Sequence, residues 1–203
     1  MTQDQLAHAV FPVGDRPKEA VRDYARRHRL PVADKPDSQE ICFIPDDDYA
    51  AFVTRQAPDA SRDGVVVDEH GHVLGHHTGI HRFTVGQRKG LGLSGSSRGA
   101  SAAPLYVLAL RPAEQQVVVG PRAALEQTRL TASGVNWVME APSGPIRAAA
   151  QIRHRHQSAP ATVRSIGDGQ AEAVFDTPQI AVTPGQAVVF YDGDTVVGGG
   201  WID

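Results

Sequence analysis

The chain has 203 residues, of which 41% are hydrophobic and 21% charged, with a formal net charge of −3 and a single cysteine, Cys42. One cysteine excludes an internal disulfide framework and a cysteine-rich zinc site, and no apolar run approaches the roughly 20 residues of a membrane span. The N-terminus carries no signal-peptide pattern, so a reducing, cytoplasmic compartment is expected.

Residues 1–14 show Leu6, Val10 and Phe11 as scattered apolar positions with no strand pattern. Asp15 reads as a helix cap, with Pro17 tolerated in the first turn. Ala20, Val21, Tyr24 and Ala25 then form a helical stripe. Arg26, Arg27, His28 and Arg29 close that helix, where cations complement the macrodipole. Next comes the stretch Asp37-Ser38-Gln39-Glu40-Ile41-Cys42-Phe43-Ile44-Pro45. The residues alone leave two readings of Cys42 open. It is a small buried hydrophobe, or a reactive thiol that needs exposure beside positive charge or a helix N-terminus. Lys35 lies nearby, and Asp46 to Asp48 open a second helix with Tyr49, Phe52 and Val53 on one face. The run 58–64, beginning with Pro58, marks a boundary.

Beyond it the helical period disappears. Val65–Val67 and Val73–Leu74 read as a hairpin around Glu69-His70-Gly71-His72. Gly79, Gly86, Gly90 and Gly92 follow, interleaved with Thr84, Gln87, Arg88 and Lys89, but without the G-x-x-x-x-G-K-[ST] of a P-loop. Leu105–Leu110 and Val117–Val119 form another strand pair. Histidines at 70, 72, 76, 77 and 81 invite a metal reading. With no cysteine among them and no clean i, i+4 pair on a helix, they are read as hairpin-surface residues and no metal is expected.

The last third is a run of short strands: Thr131–Met139, Arg147–His154, Ala161–Ile166, Ala171–Phe175, Gln186–Tyr191 and Thr195–Trp201. Turns such as Gly167-Asp168-Gly169 and Asp192-Gly193-Asp194 separate them. Six strands at this spacing argue for a small antiparallel barrel, closed so that no edge is exposed. The fold expected is mainly β: a short helical N-terminal segment, a small central β domain and a C-terminal antiparallel β-barrel. Two stretches carry cations and no acid: 77–98 with Arg82, Arg88, Lys89 and Arg98, and 145–165 with Arg147, Arg153, Arg155 and Arg164. Such stretches suit phosphate contact, although solvated surface is the commoner reading. On strand alternation Arg153 and Arg155 share one face and His154 points to the other.

Several stretches together resemble the bacterial tRNA-specific 2-thiouridylases. They are Phe11-Pro12-Val13-Gly14, Leu30-Pro31-Val32-Ala33, Asp37 to Ile44, His77-Thr78-Gly79, Thr84-Val85-Gly86-Gln87-Arg88-Lys89-Gly90-Leu91-Gly92, Thr183-Pro184-Gly185-Gln186-Ala187-Val188-Val189-Phe190-Tyr191 and Gly198-Gly199-Gly200. They match in order and cover nearly the whole chain. The resemblance implies a transferase in tRNA processing that replaces O2 of the wobble uridine with sulfur. ATP activates that oxygen, and a cysteine persulfide delivers the sulfur. Cys42 occupies the position of the persulfide-bearing, catalytic cysteine. The tRNA-binding Arg-aromatic pair corresponds to Arg153-His154, with histidine where tyrosine is usual, and the glutamine of the Pro-Gly-Gln turn to Gln186. Partners implied are tRNA and a sulfur-relay persulfide donor protein, with no membrane. ATP with magnesium serves the complete enzyme, and no cofactor is expected in this chain alone.

Members of that family carry a Ser-Gly-Gly-x-Asp-Ser loop and a second, resolving cysteine, and neither occurs in this sequence. The chain therefore looks like the C-terminal half or so of a family member and is expected to be inactive alone. Residues 1–60 would be the tail of the nucleotide-binding α/β domain, 61–128 the central β domain and 129–203 the tRNA-binding barrel. Two other readings compete: a non-catalytic RNA-binding module derived from such an enzyme, and a structural β domain with no ligand.

Overall fold

The computed structural model describes residues 1–36, 44, 48–57, 61–93 and 103–203. Three helices lie in the N-terminal part. The first, α1 (Gln3–Ala7), is one the sequence pattern did not signal; a reciprocal capping box between Thr2 and Gln5 starts it. The second, α2 (Lys18–Arg27), begins at Pro17, which supplies the cap position without a side-chain bond. Asp15 stands too early to cap it, because the fixed φ of proline already sets the entry to the first turn. The third, α3 (Tyr49–Gln56), starts as read: the Asp48 carboxylate accepts the Ala51 N–H at 2.8 Å. Within residues 1–36 only Ala33 is buried. Val10 is 82% and Phe11 66% exposed. This part touches the barrel through the Gln3 side-chain amide, which donates to the Val138 carbonyl. The Asn136 amide in turn donates to the Met1 carbonyl at 3.3 Å.

A four-stranded mixed sheet follows, in the order β2-β1-β4-β3. Its strands are β1 (Gly64–Val67), β2 (Val73–His77), β3 (Tyr106–Arg111) and β4 (Gln116–Gly120). Both expected hairpins form, β1 with β2 and β3 with β4. The Asp68 carboxylate shapes the first by accepting the N–H groups of His70 and His72, each at 2.9 Å. β1 and β4 run parallel, joining the two hairpins. Val66, Val107, Val117 and Val119 form the core under this sheet, closed by Ile80, Phe83 and Leu91.

The rest is a closed antiparallel barrel in the order β10-β5-β8-β7-β6-β9. Its strands are β5 (Glu126–Trp137), β6 (Ile146–Gln151), β7 (Ala159–Gly167), β8 (Gln170–Ile180), β9 (Ala187–Asp192) and β10 (Thr195–Ile202). All six expected strands are present with shifted ends. β5 begins at Glu126, β8 continues to Ile180, and β6 stops at Gln151 short of His154. The interior alternates small and large residues as a narrow barrel requires. Ala132, Ala150, Ala161, Ala171 and Ala173 are fully buried and leave room for Phe190 and Ile152. In the triplet Gly198-Gly199-Gly200, a Cβ on Gly199 would sit 2.5 Å from the Val188 carbonyl oxygen. That triplet is a close approach of strands.

Candidate nucleic-acid interface

A cleft of about 280 Å³ opens where the central sheet meets the barrel. Gly86 and Ala181 approach closely in its lining: a Cβ on Gly86 would lie 3.1 Å from the Ala181 methyl. Gly86 has φ +87° and donates its N–H to the Val107 carbonyl at 2.8 Å. Ala181 also adopts a left-handed conformation, with φ 55°, which costs an L-residue about 1–2 kcal/mol and needs outside support. Support comes from three sides. The Ala181 N–H donates to the Leu125 carbonyl at 3.1 Å, and the Thr183 hydroxyl donates to the Ala181 carbonyl at 2.9 Å. Arg153 Nη1 donates to the Ile180 carbonyl at 2.9 Å and reaches that of Ala181 at 3.4 Å.

Arg153 and Gln186 are thus brought to one cleft from separate loops. Gln186 is held by its backbone, which donates to the Thr183 carbonyl at 3.2 Å and accepts from the Ile202 N–H at 2.8 Å. Its side chain is exposed. His154 is exposed and does not line this cleft. The strand-face reading of Arg153, His154 and Arg155 is corrected here. The β6–β7 ladder ends at the Ala150–Ala159 pair, and the three residues form a turn in which Arg155 has φ 61°. Strand alternation does not apply in a turn, so neither the shared face nor the opposed histidine holds. Cys42 lies outside the described residues. Of its stretch only Ile44 is described, and it is buried.

The acid-free stretch 145–165 is not free of acid in space. Arg147 grips Asp176 with two bonds of 2.9 and 2.5 Å and also donates to the Thr162 hydroxyl at 3.0 Å. Arg164 Nε donates to Glu172 at 2.7 Å, and Arg129 holds the other oxygen of that carboxylate at 2.5 Å. These bonds keep both carboxyls below the usual range, with the Arg164 hydrogen bond the main cause for Glu172 and the Arg147 bond for Asp176. Arg153 and Arg155 remain without an ion pair among the described residues, as do Arg82, Arg88 and Lys89 of the central part; Arg98 lies outside them. The cleft also gathers residues that no local pattern singled out: Arg122 from a 3-10 turn (Arg122–Leu125) and Tyr106 from the start of β3.

The histidines divide. His72 sits on the hairpin surface, 2.9 Å from Asp68. His77, read as a surface residue, is buried. Its Nδ1 accepts the Gly79 N–H at 3.2 Å, which leaves the proton on Nε2, donated to the Gln115 carbonyl at 3.2 Å. Burial holds its pKa below that of a free imidazole. His156 is also held down, by burial first and then by the Arg153 charge, while its Nε2 meets the Gln179 amide oxygen at 3.2 Å. Among the described residues no three or more His, Cys, Asp or Glu side chains gather as metal ligands, and no helix is long and apolar enough to cross a membrane.

Three family models match in succession: a tRNA methyl transferase HUP domain over residues 1–46, a tRNA methyl transferase PRC-barrel domain over 50–121, and an aminomethyltransferase beta-barrel domain over 127–202. The tRNA-specific 2-thiouridylase MnmA of Syntrophotalea carbinolica is 49% identical over 202 residues, covering 100% of this chain and 56% of that protein. The protein of the same name from Koribacter versatilis is 50% identical over 210 residues, covering 100% and 55%, and that from Geotalea uraniireducens 47% over 203 residues, covering 100% and 52%. Along its whole length the chain is similar to the tRNA-specific 2-thiouridylases. It spans about half the length of the curated relatives it matches. The closed barrel corresponds to the match over 127–202 and the mixed sheet to that over 50–121. The residues that carry the resemblance and the expected tRNA contacts divide by position. Gly86 and the Gly198–Gly200 triplet serve close packing, while Arg153 and Gln186 face a cleft.

Proposed function

We propose that this chain is the sulfur-carrying and tRNA-binding portion of an enzyme that 2-thiolates the wobble uridine of tRNA. The observation that carries the reading is identity near one half with tRNA-specific 2-thiouridylases along the entire chain. The family models are described by methyl transfer; the relatives matched end to end are the more specific guide. The retained stretch around Cys42 favours this reading over a binding module without catalysis, which has no need of a thiol. Residues 1–60 belong to a nucleotide-binding domain, 61–128 to a central β domain and 129–203 to the tRNA-binding barrel. The exposure of Val10, Phe11, Val13 and Val32 supports the first assignment, because several large apolar side chains left exposed in one short segment suit a face that packs against more protein.

What this chain contributes chemically is sulfur. The terminal sulfur of a Cys42 persulfide, a soft nucleophile, forms a bond to C2 of the activated uridine as the C2–O2 bond breaks and the oxygen departs on its activating group. A second thiol then opens the S–S bond, and this sequence, with Cys42 alone, does not supply it. ATP with magnesium is the activating co-substrate of the complete enzyme. The residues here do not fit it: the described helices follow Thr2, Pro17 and Asp48 as caps, without the glycine-rich strand-to-helix loop that cradles phosphates. No step through ATP is assigned to them. The sulfur comes from a persulfide donor protein, and the enzyme works in the cytoplasm, where thiols stay reduced.

Arg153, His154 and Gln186 are assigned to tRNA, with Arg153 and Gln186 in the cleft and His154 on the adjoining turn. The test is binding of a tRNA transcript to the chain at rising salt. Affinity should fall steeply, since phosphate contacts release counterions. Absence of binding at low salt would remove the tRNA-binding assignment.

A further inference from the structure

We propose that the cleft between the central sheet and the barrel receives one unpaired ribonucleotide of the bound RNA, its base against Tyr106 and its phosphate between Arg122 and Arg153. This rests on the tRNA-binding reading above and adds residues and a ligand geometry to it.

Charge points first to an anion. Two arginines line the cleft and, among the described residues, no carboxylate does. Arg122 meets Glu126 at 4.0 Å with both groups well exposed, a contact that contributes little. Arg153 uses only Nη1 on backbone carbonyls, so its other guanidinium donors face no partner among the described residues. Planar guanidinium forks match phosphate oxygens better than ammonium groups do. The hydrogen bonds to Ile180 and Ala181 fix Arg153 before any ligand arrives, and this lowers the entropy lost on binding.

Size and the remaining walls then separate a nucleotide from bare phosphate or duplex. The volume of about 280 Å³ lies just below the usual range of ligand pockets, which begins near ~300 Å³. It is too small for a helix and ample for one base with its sugar. Leu125 and Ala181 give an apolar floor, and Tyr106 adds an aromatic ring, the side chain on which unstacked RNA bases are commonly received. The hydroxyls of Thr84 and Thr183 and the Gln186 amide lie on the same lining, the donor and acceptor types that a ribose 2′-hydroxyl and a base edge can use. Because the walls come from both β units, a nucleotide held here also ties the two together across the Gly86–Ala181 contact.

The experiment measures binding of an unmodified tRNA transcript by the full chain and its variants across a salt series, with thermal melts to verify folding. Tyr106→Leu keeps apolar bulk in β3 but removes the stacking ring, and should weaken binding about tenfold. Tyr106→Phe, which keeps the ring, should lose less than Tyr106→Leu. Arg122→Gln should lower the salt slope by about one. Ultraviolet crosslinking should place RNA on the peptide that contains Tyr106. Uridine monophosphate serves as the free-nucleotide probe and should bind far more weakly than tRNA; equal affinity would overturn RNA as the source. Steep salt-dependent tRNA binding that neither Tyr106→Leu nor Arg122→Gln alters would overturn the nucleotide cleft and leave the tRNA assignment standing. No tRNA binding by wild type would overturn both.

Discussion

Arg164 on β7 and Glu172 on β8 meet at 2.7 Å, and the same carboxylate is held from its other side by Arg129 on β5. Three strands of the barrel are joined through one acid whose side chain is only 10% exposed, while its partners are 53% and 62% exposed. Glu172→Gln should therefore lower stability by about 1–2 kcal/mol, the loss of charge-assisted hydrogen bonds at the barrel surface. The sign with pH follows from the lowered carboxyl. Its contribution is complete above the ordinary glutamate pKa of about 4.3. It is lost as pH falls from there through the lower folded-state value. Urea denaturation between pH 3 and 7 should show a shallower acid limb for the variant, since 4.3 falls within that range (~3–7). Parallel limbs would contradict this role.

Two arginines of the same acid-free stretch should behave differently toward RNA. Arg147 is neutralised by Asp176, whereas Arg153 is not. Arg153→Gln should lower the salt slope of tRNA binding by about one, and Arg147→Gln by much less. Arg153→Lys keeps the charge but cannot reproduce the clamp on Ile180 and Ala181. It should preserve the slope while weakening binding. Equal slopes for the Arg147→Gln and Arg153→Gln proteins would contradict the assignment.

The seam between sheet and barrel can be tested with a matched pair of glycines. Gly71 and Gly86 have φ of +86° and +87°, yet a Cβ on Gly71 meets nothing within 4 Å while one on Gly86 meets Ala181 at 3.1 Å. Alanine at either should cost about 1–2 kcal/mol for the left-handed backbone. Gly86→Ala should cost about 1 kcal/mol more for crowding at the seam. Calorimetric melting of the two variants measures the difference. An equal loss would mean that the seam yields freely.

Much of the fold was legible because it is local. Apolar periods and turn residues located α2, α3, both hairpins and all six barrel strands. What escaped depends on partners distant in sequence. The parallel β1–β4 pairing joins Val65 to Gln116, and no turn announces it. The stretch 145–165 contains no acid, but β8 places Glu172 and Asp176 beside two of its arginines. His77 was misread because the Gln115 carbonyl that satisfies it comes from the turn before β4. The candidate site divides the same way. Arg153 and Gln186 were reachable through motif resemblance, whereas Arg122 and Tyr106 enter the cleft only when the sheet and barrel are assembled.

The proposed role in tRNA thiolation requires Cys42 to carry sulfur. The folded chain should be incubated with a persulfide donor, resolved from excess reagent and measured by mass spectrometry before and after reduction. The account predicts a one-sulfur mass increase on the peptide containing Cys42, removed by thiol reductant and absent from Cys42→Ser, with tRNA binding unchanged by that substitution. A folded protein that binds tRNA yet takes up no sulfur on Cys42, even with excess donor, would contradict it.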